Sequence, residues 1–571
     1  MIIVLNHFTL SPVGSGSAGA VLANRLSADP NTKVLVLEAG GDDQQSDGHM
    51  LKVPMAWPML VGTQYDWKYP MKRQKHATRS IVNQAFPMAT GKVLGGSSQT
   101  NANVYVRGNR KDYNGWAQGG CEGWSYAEVL PYFMRSEHKT DTSHVDKEYH
   151  NTTGSLMVSE SQDDEFIKFV LRLGKEMGLP ETDYNGKSQE GFSRVQSTIN
   201  NGERFSTAAA FLWPAITRPN LHVLTHALVT KVRVILRKHK AVGVEFHHNG
   251  ELKEVYVKKE VILSAGAIGS PKILLLSGIG PKDHLKTHGI NLVKDLPVGN
   301  NLHDHMSLYV PFRSKKVFNT MDKVKSVLTL LQYITMKTGK LSECLQGIGF
   351  LSTKTSEPDY PDVQFHISNF VVDEVALNFT NEVTNFAEYF NQMTQKDKVG
   401  FTFWAVLARP KSRGTLRLNS SDVMDYPIID PNYLSNKLDV ETYIRGIRFL
   451  QKIPKTEAGK EIGAELILRP LPMCTKDNTY DTDDYWECFL RHFAYTVYHP
   501  VGTCKMGSKT DTTAVVDPQL RVKGIEGLRV VDASIIPNIT TGNTHAPTVM
   551  IGEKAADMIL GLKPPTPLVH L

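Results

Sequence analysis

Two histidines sit in loops whose composition suits proton transfer. His499 lies in Tyr498-His499-Pro500-Val501-Gly502, braced by proline, and His545 in Gly542-Asn543-Thr544-His545-Ala546-Pro547, ahead of a C-terminal helical stretch. Histidine titrates near neutrality unaided, so either can take or give a proton. Singly, each is more often a hydrogen-bonded structural residue than a catalyst; together, beside a cofactor domain, they leave catalysis and structure evenly open. A third feature is Gly14-Ser15-Gly16-Ser17-Ala18-Gly19, with Glu38 nineteen residues after Gly19. Gly14 permits a tight turn, Gly16 lets the backbone approach a pyrophosphate, and Gly19 lets a helix pack on its strand. Glu38, at the tip of the next strand, can hold a ribose hydroxyl. A glycine-rich surface turn is the bland alternative. The loop Gly91-Lys92-Val93-Leu94-Gly95-Gly96-Ser97-Ser98-Gln99-Thr100-Asn101-Ala102-Asn103 is dense in small and amide residues. Such a loop presses backbone groups against a flat ring or a phosphate; an ordinary glycine turn is its alternative.

These residues need a frame, and the sequence predicts an α/β chain with a discontinuous dinucleotide-binding domain. Residues 1–150, 201–305 and 496–571 read as that domain; 151–200 and 306–495 read as a second, sheet-containing domain lying over the cofactor. Strands are expected at Lys33 to Glu38, Leu221 to Leu224, Thr230 to Ile235, Ala241 to Phe246, Glu260 to Ser264 and Leu528 to Asp532. Pro547 is placed to open the last helix, with Ile551, Ala555 and Ile559 on one face.

The stretch before the first turn breaks the pattern. A central strand belongs there, yet the chain reads His7-Phe8-Thr9-Leu10-Ser11-Pro12-Val13, and proline has no amide hydrogen to give a sheet. The expectation is that Met1 to about Pro12 is translated intron, since Phe, Leu, Ser and Pro codons resemble the pyrimidine tract before a splice acceptor. A shortened edge strand is the alternative. Sequencing the 5′ end of the transcript separates them.

Composition narrows the class. The chain has 571 residues, 41% hydrophobic and 21% charged, which describes a globular protein with ample core. A net charge of +6 with no basic run gives nucleic-acid binding little support. No apolar stretch is long enough to span a bilayer; Ser326 to Met336 comes nearest and reads as an amphipathic helix against the core or over a substrate entrance. Five cysteines cannot all pair. Cys474 and Cys488 bracket a polar loop and form either one disulfide or two buried thiols. No Cys/His spacing suggests a metal. Asn151, Asn378, Asn419 and Asn538 begin N-x-S/T sequons, which permit a secretory route.

Several long motifs, in order, then resemble one family. The glycine turn, the Gly91 to Asn103 loop, Gly266-Ala267-Ile268-Gly269-Ser270-Pro271 and Ser277-Gly278-Ile279-Gly280-Pro281 are four of them. Pro297-Val298-Gly299-Asn300-Asn301-Leu302-His303-Asp304-His305, the His499 loop and the C-terminal stretch through Lys554 complete the set. Over nearly its whole length the chain is similar to glucose-methanol-choline (GMC) flavin oxidoreductases, in style close to glucose-dehydrogenase-like and choline-dehydrogenase-like members.

The resemblance implies FAD in the Gly14 to Glu38 site. Val229 would meet the adenine end, Asp532 and Ala533 the pyrophosphate and ribityl region, and Ala265 would also bind the cofactor. Asn101 to Val104 would lie by the isoalloxazine, and Thr544, His545, Pro547 and Thr548 by its pyrimidine side. His499 matches the catalytic histidine and His545 its partner position. Thr100 stands where some members carry a histidine bonded to flavin, so dissociable, non-covalent FAD is expected. The implied reaction moves a hydride from the CH–OH group of an alcohol or sugar to flavin, then electrons to a quinone or similar acceptor. Rival readings are an oxygen-using alcohol oxidase and a choline dehydrogenase, the latter needing an aromatic and acidic cage, for which Trp404 and Tyr389 are candidates. Another class is a catalytically impaired binding or structural protein with a defective first strand. The resemblance favours secretion, with mitochondria second.

Overall fold

The computed structural model describes residues 3–42, 44, 48–354, 356–371, 399–468 and 470–571; Asn378 and Tyr389 lie outside them. Val34–Leu37 reads Val-Leu-Val-Leu and is buried at every position, as a strand covered on both faces requires. It belongs to a seven-stranded sheet ordered Leu221–Leu224, Val34–Leu37, Ile3–Val13, Glu251–Leu263, Lys240–His248 and Leu228–Ile235. The first four strands run parallel and the last two return antiparallel. Leu528–Val530 pairs in parallel with the end of Glu251–Leu263. Helices Ser17–Leu26 and His545–Leu560 pack together, and Arg25 reaches the fully buried Glu553 at 2.7 Å.

A second seven-stranded sheet is antiparallel throughout, ordered Glu465–Leu466, Met306–Arg313, Gly400–Leu407, Val363–Ser368, Gly347–Leu351 and Gly191–Arg194, with Tyr495–Thr496 also paired to Met306–Arg313. Its aromatic ladder explains the pairing: Phe312 stacks on Phe401 across two strands, with ring centroids 5.2 Å apart.

Three sequence readings are revised or resolved here. The first strand is neither short nor at an edge: Ile3–Val13 is eleven residues long and lies between Val34–Leu37 and Glu251–Leu263. Proline is tolerated there because its neighbour replaces the missing donor. The Leu10 and Gly14 amides donate to the Lys33 and Leu37 carbonyls at 3.2 and 2.8 Å, so the rung between would join Pro12 to Leu35. Ser11 Oγ, fully buried, donates to that Leu35 carbonyl at 3.1 Å. A Ser11→Ala variant strands the carbonyl, and the expected loss is about 1–3 kcal/mol, measured by denaturant unfolding.

The Ser326 to Met336 stretch is helical over Val327–Met336, but its aliphatic side faces out: Leu328 is 79% exposed, whereas Thr329 and Tyr333 are buried. It therefore does not pack an apolar face on the core. Cys474 and Cys488 are disulfide-bonded, with Cα atoms 5.7 Å apart, while Cys121, Cys344 and Cys504 are buried free thiols.

Candidate functional site

Both sheets wall one cavity. From the first come Val13, Gly14, Leu37, Glu38 and Val229; from the second, Tyr309, His366, Trp404 and Tyr495; His499 and His545 line it as well. Of the residues singled out by sequence, Gly16, Gly91, Gly96, Ser97, Asn101, Ala102, Val104, Ala265, Asp532, Ala533, Thr544 and Thr548 also reach its surface. Gly19, Gly95, Asn103 and Pro547 do not. Gly19 is consumed by close packing, since a Cβ there would stand 2.0 Å from the Gly14 carbonyl. The Gly95 amide donates to the Ser15 carbonyl at 3.0 Å, tying one glycine loop to the other. Asn103 is buried and donates through Nδ2 to the Thr198 carbonyl at 3.0 Å. Pro547 sits in the first turn of a helix that already begins at His545, not at its opening residue.

The walls at the glycine turn suit an anionic dinucleotide. Helices Ser17–Leu26, Gly266–Leu276 and His545–Leu560 begin at the cavity, with neither an acidic residue in the first turn nor a capping bond from the N-cap side chain. Their N-terminal dipole ends favour negative charge, and at Gly266–Leu276 the first amide is already taken by the Asp532 carboxylate. Glu38 is buried and held by amides: Oε2 accepts from Ser15 N and Oγ at 2.9 and 2.8 Å, and Oε1 from Gly40 N at 2.8 Å. Burial pushes its carboxyl up against those donors. These three bonds use most of its roughly four acceptor directions. Asp532 is otherwise engaged: it accepts from Gly266 N at 2.9 Å, Ser270 Oγ at 2.6 Å and Ser534 N at 2.8 Å. Its first task is to fix the start of a helix.

At the other end the histidines form a chain with a defined direction. His305 Nε2 lies 2.9 Å from the Ala408 carbonyl, which can only accept, so that nitrogen carries the proton. Burial lowers the pKa of His305 to about 4, so it is neutral and its Nδ1 is bare. His499 Nδ1, 3.1 Å away, must then donate to it. Burial, with His305 and His366 nearby, drops His499 well below the usual range, so it is neutral too. Its lone pair is left on Nε2, 3.2 Å from Asn543 Nδ2. The His499 amide is pinned at 2.7 Å by Asp304, itself held by Thr496 and Tyr433.

His545 stands apart from this chain. Its Nδ1 is 3.0 Å from Ser17 Oγ, and its Nε2 is buried without a protein partner. Burial, with Arg204 nearby, takes its pKa down to about 4. The side chain that meets His499 Nε2 is therefore Asn543, a residue the sequence did not mark, which donates to it at 3.2 Å and stands two places before His545. His305 and His366 were missed as well; a His-Asp-His spacing was legible at His303 to His305, but nothing marked His366.

The described residues contain one His/Cys/Asp/Glu grouping of metal-like spacing, Cys474, Cys488 and His492, and its sulfurs are bonded to each other.

A mostly parallel, nucleotide-type sheet and an antiparallel sheet share one cavity that reaches the neutral His499, an architecture suited to a dinucleotide-dependent oxidoreductase. Comparison with known proteins gives the family. Residues 13–307 and 410–552 match the N- and C-terminal models of GMC oxidoreductases. Glucose dehydrogenase [FAD, quinone] of Drosophila pseudoobscura pseudoobscura is 38% identical over 96% of this chain and 86% of its own length. Mitochondrial choline dehydrogenase of Mus musculus is 38% identical over 97% of this chain and 90% of its own. Formate oxidase of Aspergillus oryzae superposes with a TM-score of 0.84 at 28% identity, covering 97% and 98% of the two chains. The chain belongs to the GMC oxidoreductase family.

Proposed function

We propose that the protein is an FAD-dependent dehydrogenase that oxidises the CH–OH group of an alcohol or sugar and passes the electrons to a quinone-like acceptor. The observation that carries this reading is the bare Nε2 of His499 on the wall of the cavity that begins at the glycine turn. FAD, when bound, supplies a ring that accepts hydride from the carbinol carbon. Residues 1–150, 201–305 and 496–571 would bind it; 151–200 and 306–495 would cover it and shape the substrate end. His499 Nε2 takes the hydroxyl proton, which makes the carbon a hydride donor. His545, with Ser17 donating to Nδ1, presents Nε2–H to the substrate oxygen. The start of His545–Leu560, without a side-chain cap and at the cavity wall, would favour negative charge on a reduced cofactor held there. Thr100, on the cavity wall, offers no imidazole for a covalent bond, which supports dissociable cofactor.

Around His366 the wall is aromatic: Trp404 lies 5.3 Å from Tyr309 and 6.5 Å from Trp57 by ring centroids. Such a wall suits a sugar ring or an apolar alcohol. It also favours one second reading, choline, whose trimethylammonium group binds aromatic faces. The carboxylates on the described wall are Glu38, Asp66 and Asp532, each of which accepts backbone amides. The deciding experiment is anaerobic titration of the holoenzyme with sugars, choline, and aliphatic and aromatic alcohols. Bleaching of flavin absorbance by a sugar or apolar alcohol, with reoxidation by a quinone analogue, is expected. Bleaching by choline alone selects the second reading, and no bleaching by any alcohol refutes both.

A further inference from the structure

The helix Val327–Met336 presents a surface that water does not explain. Val327, Leu328, Leu330, Leu331 and Ile334 are 71, 79, 49, 51 and 58% exposed. At the pitch of an α-helix these five cover an arc of roughly 160°. Water-facing arcs of that width normally carry charged and polar residues; here Thr335 is the one polar residue within it, its hydroxyl donating to the Leu331 carbonyl at 2.8 Å, while Thr329 and Tyr333 turn inward. Tyr333 OH donates to the Lys52 carbonyl at 3.3 Å, and Met50, two residues away, is also exposed.

The charges complete the pattern. No charged residue occurs from Val327 to Met336, while Lys323 and Lys325 precede the helix and Lys337 and Lys340 follow it. Asp322 is the lone acid between 322 and 340. Lys337 also reaches Glu203 at 3.0 Å. An aliphatic arc with lysines at both ends is the chemistry of a helix that lies in a lipid interface. Ten residues are too few to cross a bilayer, and no helix among the described residues is long and apolar enough to do so.

We propose that this face docks on an anionic phospholipid surface. The aliphatic side chains enter the boundary between headgroups and acyl chains, and the lysines meet lipid phosphates. The helix stands on the segment that carries Trp57 and Leu60 to the cavity wall, through Tyr333 to Lys52 and Leu341 to Met55. Docking therefore brings the substrate side of the molecule against the membrane.

The test is co-sedimentation of holoenzyme with vesicles of phosphatidylcholine alone or mixed in equal parts with phosphatidylserine. Binding to the anionic vesicles, weakened by salt, is expected. A Leu328→Ser/Leu331→Ser double variant should bind on the order of tenfold or more weakly, and Lys323→Glu should shift binding in the same direction. Both should keep the parent's melting temperature and its turnover with soluble substrate and acceptor, because these side chains face away from the core. Three results would overturn the proposal. The protein could stay in the supernatant at every composition, or the helix variants could bind as well as the parent. Alternatively, the parent could be a dimer that the leucine variant dissociates, which would make the face a contact between copies.

Discussion

Replacing His499 with alanine should lower the rate of anaerobic flavin reduction by about 10³-fold while flavin absorbance is retained. The size of the effect follows from what the residue alone can do. Its Nε2 is the bare nitrogen at the end of an ordered chain, and Asn543 beside it is an amide that cannot accept a proton. Loss of activity together with flavin would mean a structural role and refute the assignment. The pH profile provides a second readout. A base works when neutral, so lowering its pKa extends the working range toward acid. Burial and two neighbouring histidines lower that of His499, so kcat/KM should stay level through the pH where an ordinary histidine titrates, near 6.5, and fall only below it. The alanine variant should instead gain rate as pH rises, because the medium must then remove the proton. His305 positions the base, and its variants separate geometry from bulk. His305→Leu leaves the Nδ1 hydrogen of His499 without an acceptor and should reduce turnover on the order of tenfold or more. His305→Gln can still accept that hydrogen and should recover most of the rate.

What the sequence made legible and what it hid follow from the range of the interactions involved. The glycine turn, its helix and the Val34–Leu37 strand were readable because local geometry specifies them: positive φ, close approach and a continuous apolar run. The three-part assembly of the first sheet was readable from strands recurring at three places. Pro12 points away from an interior strand because proline removes a sheet donor, and only the fold shows that Ser11 supplies one from the adjacent position. For the Val327–Met336 helix the sequence leaves two placements open, against the core or over a substrate entrance, because an apolar run does not say which side faces in; the exposure of Leu328 removes the first. Asn543 and His366 were invisible for a third reason: their importance lies in contacts 44 and 177 positions away in the chain, to His499 and Asn543 respectively.

A Gly96→Ala variant should purify with little or no flavin. Gly96 has φ +54, and a Cβ there would stand 2.7 Å from the Gly16 Cα, a backbone atom that no rotamer change can clear. The two glycine loops would have to separate at the point where their backbones face the cavity. Restoring that contact with strained geometry costs about 3 kcal/mol, equivalent to a rise in Kd of roughly a hundredfold. The ratio of flavin to protein absorbance and the fluorescence of released flavin measure it directly. The matched control is Gly123→Ala. Gly123 also has positive φ, +86, but a Cβ there meets nothing within 4 Å. That variant bears the backbone penalty of about 1 kcal/mol without the clash, and should keep its cofactor. If both variants retain flavin equally, contact between the glycine loops is not what shapes the nucleotide site. If both lose it, general instability rather than loop separation is the cause. Only loss confined to Gly96→Ala ties cofactor affinity to the meeting of Gly16 and Gly96.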